Sequence, residues 1–547
     1  MGSLFLSLVL VTAAAPAAPP ADTVVVCAPE FLTELKPWLM HRQQQGHVFS
    51  HITNQLTAQQ IRAAIRAEAK RGKLRHVVIV GDTVPRGRRK VTPEDRQWLV
   101  PTHYVDAKVN VLWGSEREIA TDNWFADLDD DRVPDLTIGR LTADTREEVA
   151  QLVQKILRYE ASSHEGAWQN KIHCIAGVGG FGQVADSVLE MTTKKFLVEQ
   201  VPAAYSTTMT YGSWRSPYCP DPRQFHTTTL SKLNEGCLFW VYIGHGQKTF
   251  LDRVHVPGQS YHILDAQDMG KVGCRDGLPI ALFLACYAGA YDHFYDCLAE
   301  EMLRRDRGPI AVLAGSRVTM PYAMSVMSHG LMQAYFAERC ETIGEVLLTA
   351  KRQLAEDRKI PRGEATQAEK QDLRLMLDAL AATISPRPDL MDEERREHLD
   401  IFNLLGDPLL RLPQPKDFTL EMANEIQAGQ VLELSGHCEL AGKCTIELVS
   451  RRDRSRTNPR GRTKFDSASA ALADYNEQYV LANDPLWKRV EMDFAGGEFK
   501  ASITVPSEAR GPCHVRVRVQ GQQAFALGSA DLFIRRPNSS ERTAAKP

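Results

Sequence analysis

Apolar positions along this chain fall into three successive textures. Near the start, short unbroken runs, Thr23-Val24-Val25-Val26, Val77-Val78-Ile79-Val80 and Leu136-Thr137-Ile138-Gly139-Arg140, are separated by amphipathic stretches over 31–45 and 57–71 and followed by another over 146–160. Strands that do not alternate, interleaved with helices, predict a parallel sheet covered on both faces. A second series of the same kind opens with Ile172-His173-Cys174-Ile175-Ala176. It continues through a helical pattern over 184–199 and three further apolar runs beginning at Leu238, Ile280 and Ile310. Helical patterns over 324–337 and 343–356 follow, and the charged stretch 362–398 reads as an interruption before Leu404-Leu405-Gly406-Asp407-Pro408-Leu409-Leu410.

From about residue 415 the period changes to two, as in Val431-Leu432-Glu433-Leu434 and Cys513-His514-Val515-Arg516-Val517-Arg518-Val519. Alternation bounded by Gly and Pro predicts an immunoglobulin-like β-sandwich, within which the basic, aperiodic stretch 451–483 is an insertion or long loop. At 547 residues the chain is long enough for several cores. The expected organisation is α/β, with an N-terminal subdomain over 22–165, a second α/β subdomain over 166–414, an all-β sandwich over 415–537 and a disordered tail over 538–547.

Residues 1–21 carry the marks of a signal peptide. Leu4-Phe5-Leu6-Ser7-Leu8-Val9-Leu10-Val11 is too short to span a bilayer, small residues and prolines follow, and Ala15-Pro16-Ala17 offers a cleavage site, although no Lys or Arg precedes the run. Export to a periplasmic, cell-surface or extracellular location is therefore expected. No later run is apolar for the ~18 residues that a transmembrane helix needs. A formal net charge of -3 gives no pull toward nucleic acid or anionic membrane, and Arg86-Gly87-Arg88-Arg89-Lys90 reads as a solvated loop. The eleven cysteines include no CxxC pair and no Cys/His spacing suited to zinc. After export an odd count leaves at least one thiol unpaired. Cys438 and Cys444 flank a turn-like stretch and suit either a small disulfide loop or two buried thiols.

Two of the apolar runs end in reactive side chains. Leu238-Phe239-Trp240-Val241-Tyr242-Ile243 leads into Gly244-His245-Gly246, and Ile280-Ala281-Leu282-Phe283-Leu284-Ala285 leads into Cys286. Taken singly, the histidine reads as a turn filler and the cysteine as a core residue. Taken together they read as a Cys/His dyad, because parallel neighbours bring their carboxyl ends to one rim and a positioned imidazole can take the thiol proton.

These residues resemble the gingipain-type cysteine peptidases, whose catalytic region has a caspase-like fold. The likeness rests on Gly244-His245-Gly246, Ala285-Cys286, Cys297-Leu298-Ala299-Glu300, Ala314-Gly315-Ser316, Ile138-Gly139-Arg140-Leu141 and Asn403-Leu404-Leu405-Gly406-Asp407-Pro408, and runs through nearly the whole mature chain. It implies a catalytic region of two α/β subdomains with mainly parallel sheets. Cys286 would attack the scissile carbonyl and His245 would shuttle protons. The backbone amides of Gly246 and Cys286 would line the oxyanion hole. One departure stands out: where arginine-specific relatives carry a glutamate that steadies the histidine, this chain reads Gly177-Val178-Gly179-Gly180-Phe181-Gly182. A dyad is expected, with a backbone carbonyl orienting the ring. Asp186 is the nearest acid to the family's specificity aspartate, but its spacing differs and it reads more readily as an ordinary helix N-terminal aspartate. The expected function is an exported cysteine endopeptidase acting on protein or peptide substrates. A non-catalytic binding or adhesion protein on the same scaffold and a transpeptidase are the alternatives, and no motif names a partner for the sandwich.

No cofactor is required for such chemistry. A structural calcium ion is a separate possibility, because Asp127, Asp129, Asp131 and Asp135, with Val133 between them, fall at alternate positions of one loop. Against it, Arg132 stands where such loops want glycine, and Ile138 stands where they want glutamate. A solvated acidic loop is the other reading.

Overall fold

The computed structural model describes residues 19–86, 97–162, 166–177, 200–357, 373–385 and 387–536. The helical pattern over 184–199, the tail from 538, most of the signal segment and the basic cluster beyond Arg86 lie outside the described residues.

The first series contributes strands β1 (Thr23–Cys27), β2 (Phe49–Thr53) and β3 (His76–Val80), a hairpin of β4 (His103–Asp106) and β5 (Glu118–Thr121), and β6 (Thr137–Leu141). The second contributes β7 (Lys171–Ala176), β8 (Ser206–Tyr211), β9 (Phe239–Ile243), a hairpin of β10 (Arg253–Val256) and β11 (Gln259–His262), β12 (Ile280–Leu284), β13 (Ala311–Gly315) and β14 (Phe402–Leu405). Apart from the hairpins, all of these share one ten-stranded sheet in the order β2-β1-β3-β6-β14-β13-β12-β9-β7-β8. Every neighbouring pair is parallel except β13 with β14. Strand direction therefore reverses there, and the carboxyl ends of β9, β12 and β13 lie on the rim opposite to those of β1, β3 and β6. Strands β1, β3, β6, β12 and β13 are buried along their whole length, as their unalternating composition requires.

Helices cover both faces, among them Leu32–Gln44, Ala58–Ala69, Arg146–Ser162, Pro321–Met332 and Ile343–Ala355. One expectation is overturned: the charged stretch read as an interruption contains the helices Leu373–Ile384 and Met391–Ile401. In the second of these Glu394, Arg395, Glu397, His398 and Asp400 are all buried. A helix whose inner face is polar leaves no apolar period to read. Glu397 shows how that face is satisfied. Its carboxylate accepts the main-chain N–H groups of Lys108, of Val109 at 2.7 Å and of Asn110 at 2.9 Å.

From residue 416 the chain forms the β-sandwich, a six-stranded sheet facing a three-stranded one around Leu432, Leu434, Ile446, Leu448, Phe499, Val515 and Val517. Cys438 and Cys444 are free, buried thiols on strands Val431–Cys438 and Gly442–Ser450. The insertion between Gly442–Ser450 and Leu486–Phe494 ends in a helix, Ser469–Ala482, laid along the edge strand β8. There the Asn483 side chain accepts the N–H of Met209 at 2.8 Å and donates to its carbonyl at 3.0 Å, and Tyr479 shares a 2.8 Å hydrogen bond with Thr210. Among the described residues, no helix is long and apolar enough to cross a membrane.

Candidate active site

Strands β9 and β12 run in parallel register, Phe239 beside Ile280 through Ile243 beside Leu284, so their next residues lead side by side onto the same rim. Gly244 continues the pairing, its N–H reaching the Leu284 carbonyl at 3.3 Å. Its φ of +154° and its surroundings both demand glycine. A Cβ there would lie 2.9 Å from the Tyr242 hydroxyl and 3.1 Å from the Gly177 Cα. Gly246 is tighter still, since a Cβ would lie 2.6 Å from the Cys286 carbonyl oxygen and 3.0 Å from the Ala285 Cβ. The backbone that carries His245 is thus pressed against the backbone that carries Cys286. The structure brings the two predicted motifs together, and both residues are partly exposed at the rim.

The main chain at His245 is anchored on both sides. Its carbonyl accepts the Tyr242 hydroxyl at 2.8 Å and the Asp252 N–H at 3.1 Å. Burial, with the charges of Asp252 and Cys286, holds the Tyr242 phenol well above its ordinary range, so it serves as a fixed O–H donor. After Cys286 the chain turns through Tyr287, whose φ of +58° is a left-handed conformation costing roughly 1 kcal/mol or more in a non-glycine residue. The turn is sewn to the end of β13, with Tyr287 N–H donating to the Arg317 carbonyl at 3.1 Å and Gly289 N–H to Gly315 at 3.0 Å. Arg317 in turn makes a buried two-pronged pair with Asp292 at 2.7 and 2.8 Å.

Around this turn lie opposite charges. Tyr287 donates its hydroxyl to Glu116 at 2.7 Å, and Lys248, two residues past Gly246, sits 3.3 Å from the same carboxylate. Burial opposes ionisation of Glu116, but Tyr287, Arg317 and Lys248 outweigh it and hold the carboxyl below its usual range.

Sequence reasoning missed the residues behind the sulfur. Thr319, in the turn after β13, places its N–H 3.3 Å, its hydroxyl oxygen 3.6 Å and its carbonyl 3.8 Å from Cys286 Sγ. Next to it, Met320 N–H donates to His398 Nε2 at 2.8 Å, and His398 Nδ1 meets the Glu394 carbonyl at 2.7 Å. Burial depresses His398 to about 4, so the ring is neutral, with its proton on Nδ1. The only available signal was the strand end Ala314-Gly315-Ser316, three residues before Thr319.

Asp186 lies outside the described residues. In the acidic loop the structure brings together the carboxylates of Asp127, Asp129 and Asp135, with ligand atoms within 4.8 Å of one another. Asp131 instead accepts the Val133 N–H at 2.7 Å. Arg132 takes the sharp turn with a φ of +73° despite its side chain. Burial, then the charges of Asp129, Asp127 and Asp131, raises Asp135, which suits a cation, whereas Arg62 already pairs with Asp127 at 3.1 Å. Elsewhere Asp82, Asp296 and Glu300 form a second acidic group, served by Arg304 at 3.8, 2.6 and 3.9 Å. Burial, with Asp144 nearby, pushes Asp82 up to about 7.

Comparison with known proteins places this architecture. Two solved structures share the fold across nearly the whole chain: the Arg-specific cysteine proteinase gingipain R, with a TM-score of 0.51 and 14% identity over 95% of this chain and 99% of the other, and one described as a protease, with 0.53 and 15% over 94% and 98%. Among curated sequences, Lys-gingipain W83 of Porphyromonas gingivalis is 22% identical over 311 residues, and a second Lys-gingipain from the same species is 23% identical over 309. Each alignment takes in 54% of this chain but only 16% of the relative, so the chain spans a small part of those proteins' length. Residues 16–413 match the family model described as Peptidase family C25. With that match covering most of its length, the chain belongs to peptidase family C25, alongside the gingipain cysteine proteinases.

Proposed function

We propose that the protein is an exported cysteine endopeptidase working through Cys286 and His245. The observation that carries this reading is the parallel register of β9 and β12, with the Gly246 position packed against the Cys286 carbonyl. In the proposed cycle His245 takes the Cys286 proton and the thiolate attacks the scissile carbonyl carbon. The amides of Gly246 and Cys286 receive the oxyanion. Collapse breaks the C–N bond as the imidazolium protonates the leaving amine, leaving a thioester. Water, giving its proton to His245, then cleaves the thioester to a carboxylic acid and the free thiol.

The test is hydrolysis of a mixed peptide library by the purified protein and by Cys286→Ala. Cleavage by the parent, lost in the variant while its thermal unfolding stays the same, is the expected result; undiminished cleavage by the variant would overturn the proposal. The library also reads primary specificity, for which Asp186 is the proposed pocket residue.

We further propose that the loop of Asp127, Asp129 and Asp135 holds a structural calcium ion that takes no part in the chemistry. Millimolar calcium should then raise the unfolding temperature of the parent but not of Asp135→Asn. An equal response in both would remove the site.

A further inference from the structure

On the reading of Cys286 as the nucleophile, a thiolate must be stabilised at the rim, and the structure offers a group for this that neither the motifs nor the family match assigned. We infer that Thr319 holds the Cys286 sulfur in its reactive state, its hydroxyl and main-chain N–H forming a donor pair directed at Sγ.

The geometry is specific. The N–H lies 3.3 Å from the sulfur and the hydroxyl oxygen 3.6 Å. Both can donate to a thiolate, whereas the neutral thiol turns its own proton toward the Thr319 carbonyl at 3.8 Å or the hydroxyl. Hydrogen bonds to a charged acceptor are roughly twice as strong as neutral ones, so the pair favours the ionised form. Thr319 is only 2% exposed, so bulk water offers this donor pair little competition.

The turn is also held rigid. Gly315 leaves room for the Thr319 methyl, which would lie 2.8 Å from a Cβ at that glycine. Met320 is tied to the neutral His398, and Arg317 to Asp292. A donor fixed before the reaction needs no reorganisation when charge appears on sulfur. This arrangement acts on the sulfur itself.

Among the described residues, the charged and titratable groups near Cys286 include His245, Tyr242 and Asp252 at the β9 end, Tyr287 with Glu116 and Lys248 across the turn, and Arg317, Asp292 and His398 behind it. All are common to the variants that test the inference. The experiment is the pH profile of Cys286 alkylation by iodoacetamide in the full chain, read by mass spectrometry of the Cys286 peptide so that the other thiols do not contribute. It needs no peptide substrate, so it can fail while peptidase activity survives, and the reverse.

Thr319→Val keeps the methyl packing and loses the hydroxyl; its profile should move to higher pH by about one unit. Thr319→Ser keeps the hydroxyl and loses the methyl, and should retain the parental profile. A Val profile that overlays the parent, or a Ser profile displaced as far as Val, would overturn the inference in favour of packing alone. Thermal unfolding of both variants checks that the turn is intact. If Val unfolds, the Ser variant and Thr319→Ala supply the same contrast.

Discussion

Replacing Gly246 by alanine tests whether the two strand ends are held together as tightly as the site requires. The added methyl would sit 2.6 Å from the Cys286 carbonyl oxygen and 3.0 Å from the Ala285 Cβ. Comfortable non-bonded separations are about 3.5 Å or more, so the contact is roughly 1 Å too short. Neither neighbour is the free end of a flexible side chain. One is backbone and the other the Cβ of Ala285, just past β12, and both belong to the segment that carries Cys286. The strand ends must separate, at a cost of about 1–3 kcal/mol typical of overpacking. A displacement near 1 Å between reacting groups lowers rate by about a hundredfold. Urea unfolding measures the first effect, and Cys286 alkylation with peptide hydrolysis measures the second. Gly270→Ala is the control, because that glycine is exposed and a Cβ there meets nothing within 4 Å. Should Gly246→Ala match the Gly270→Ala protein in both stability and rate, the claimed juxtaposition is wrong.

Two further substitutions probe the surroundings. Asp82 keeps its proton up to about pH 7 in the folded chain, against about 4 when unfolded, so its contribution to stability declines as pH climbs through that window and levels off above it. Asp82→Asn should therefore gain more unfolding temperature over the parent at pH 8 than at pH 5, and an equal gain at both would refute the assignment. Glu397→Ala strips the acceptor from three main-chain N–H groups and should cost about 3 kcal/mol or more in urea unfolding. A loss below about 1 kcal/mol would show that the 108–110 segment finds other partners.

How far the sequence speaks depends on which physical signal each element leaves. Buried parallel strands such as Val77-Val78-Ile79-Val80 announce themselves because both faces must be apolar. The edge strand Ser206–Tyr211 does not, since its Ser-Thr-Thr-Met-Thr-Tyr side chains are mostly half-buried and polar, Thr208 bonding His173 of β7 and Thr210 bonding Tyr479 of the insertion helix. Met391–Ile401 was lost for a related reason, its inward face being ionic. The meeting of the two strand-end motifs was legible because glycines crowd where backbones touch. Thr319 was not, because its proposed role depends on how a turn aims one hydroxyl and one main-chain N–H at the sulfur, which no side-chain pattern reveals.

The helix Ser469–Ala482, braced against β8 through Asn483 and Tyr479, bears on how this protein can be dissected. Arg452 adds to the join by donating to the carbonyls of Pro202 and Tyr205, each at 2.7 Å. A chain truncated near residue 415 would retain every candidate catalytic group yet bare the outer hydrogen-bonding rim of its ten-stranded sheet, an invitation to self-association. The C-terminal module is thus a structural cover as much as an appendage, and the smallest well-behaved recombinant unit should run through it.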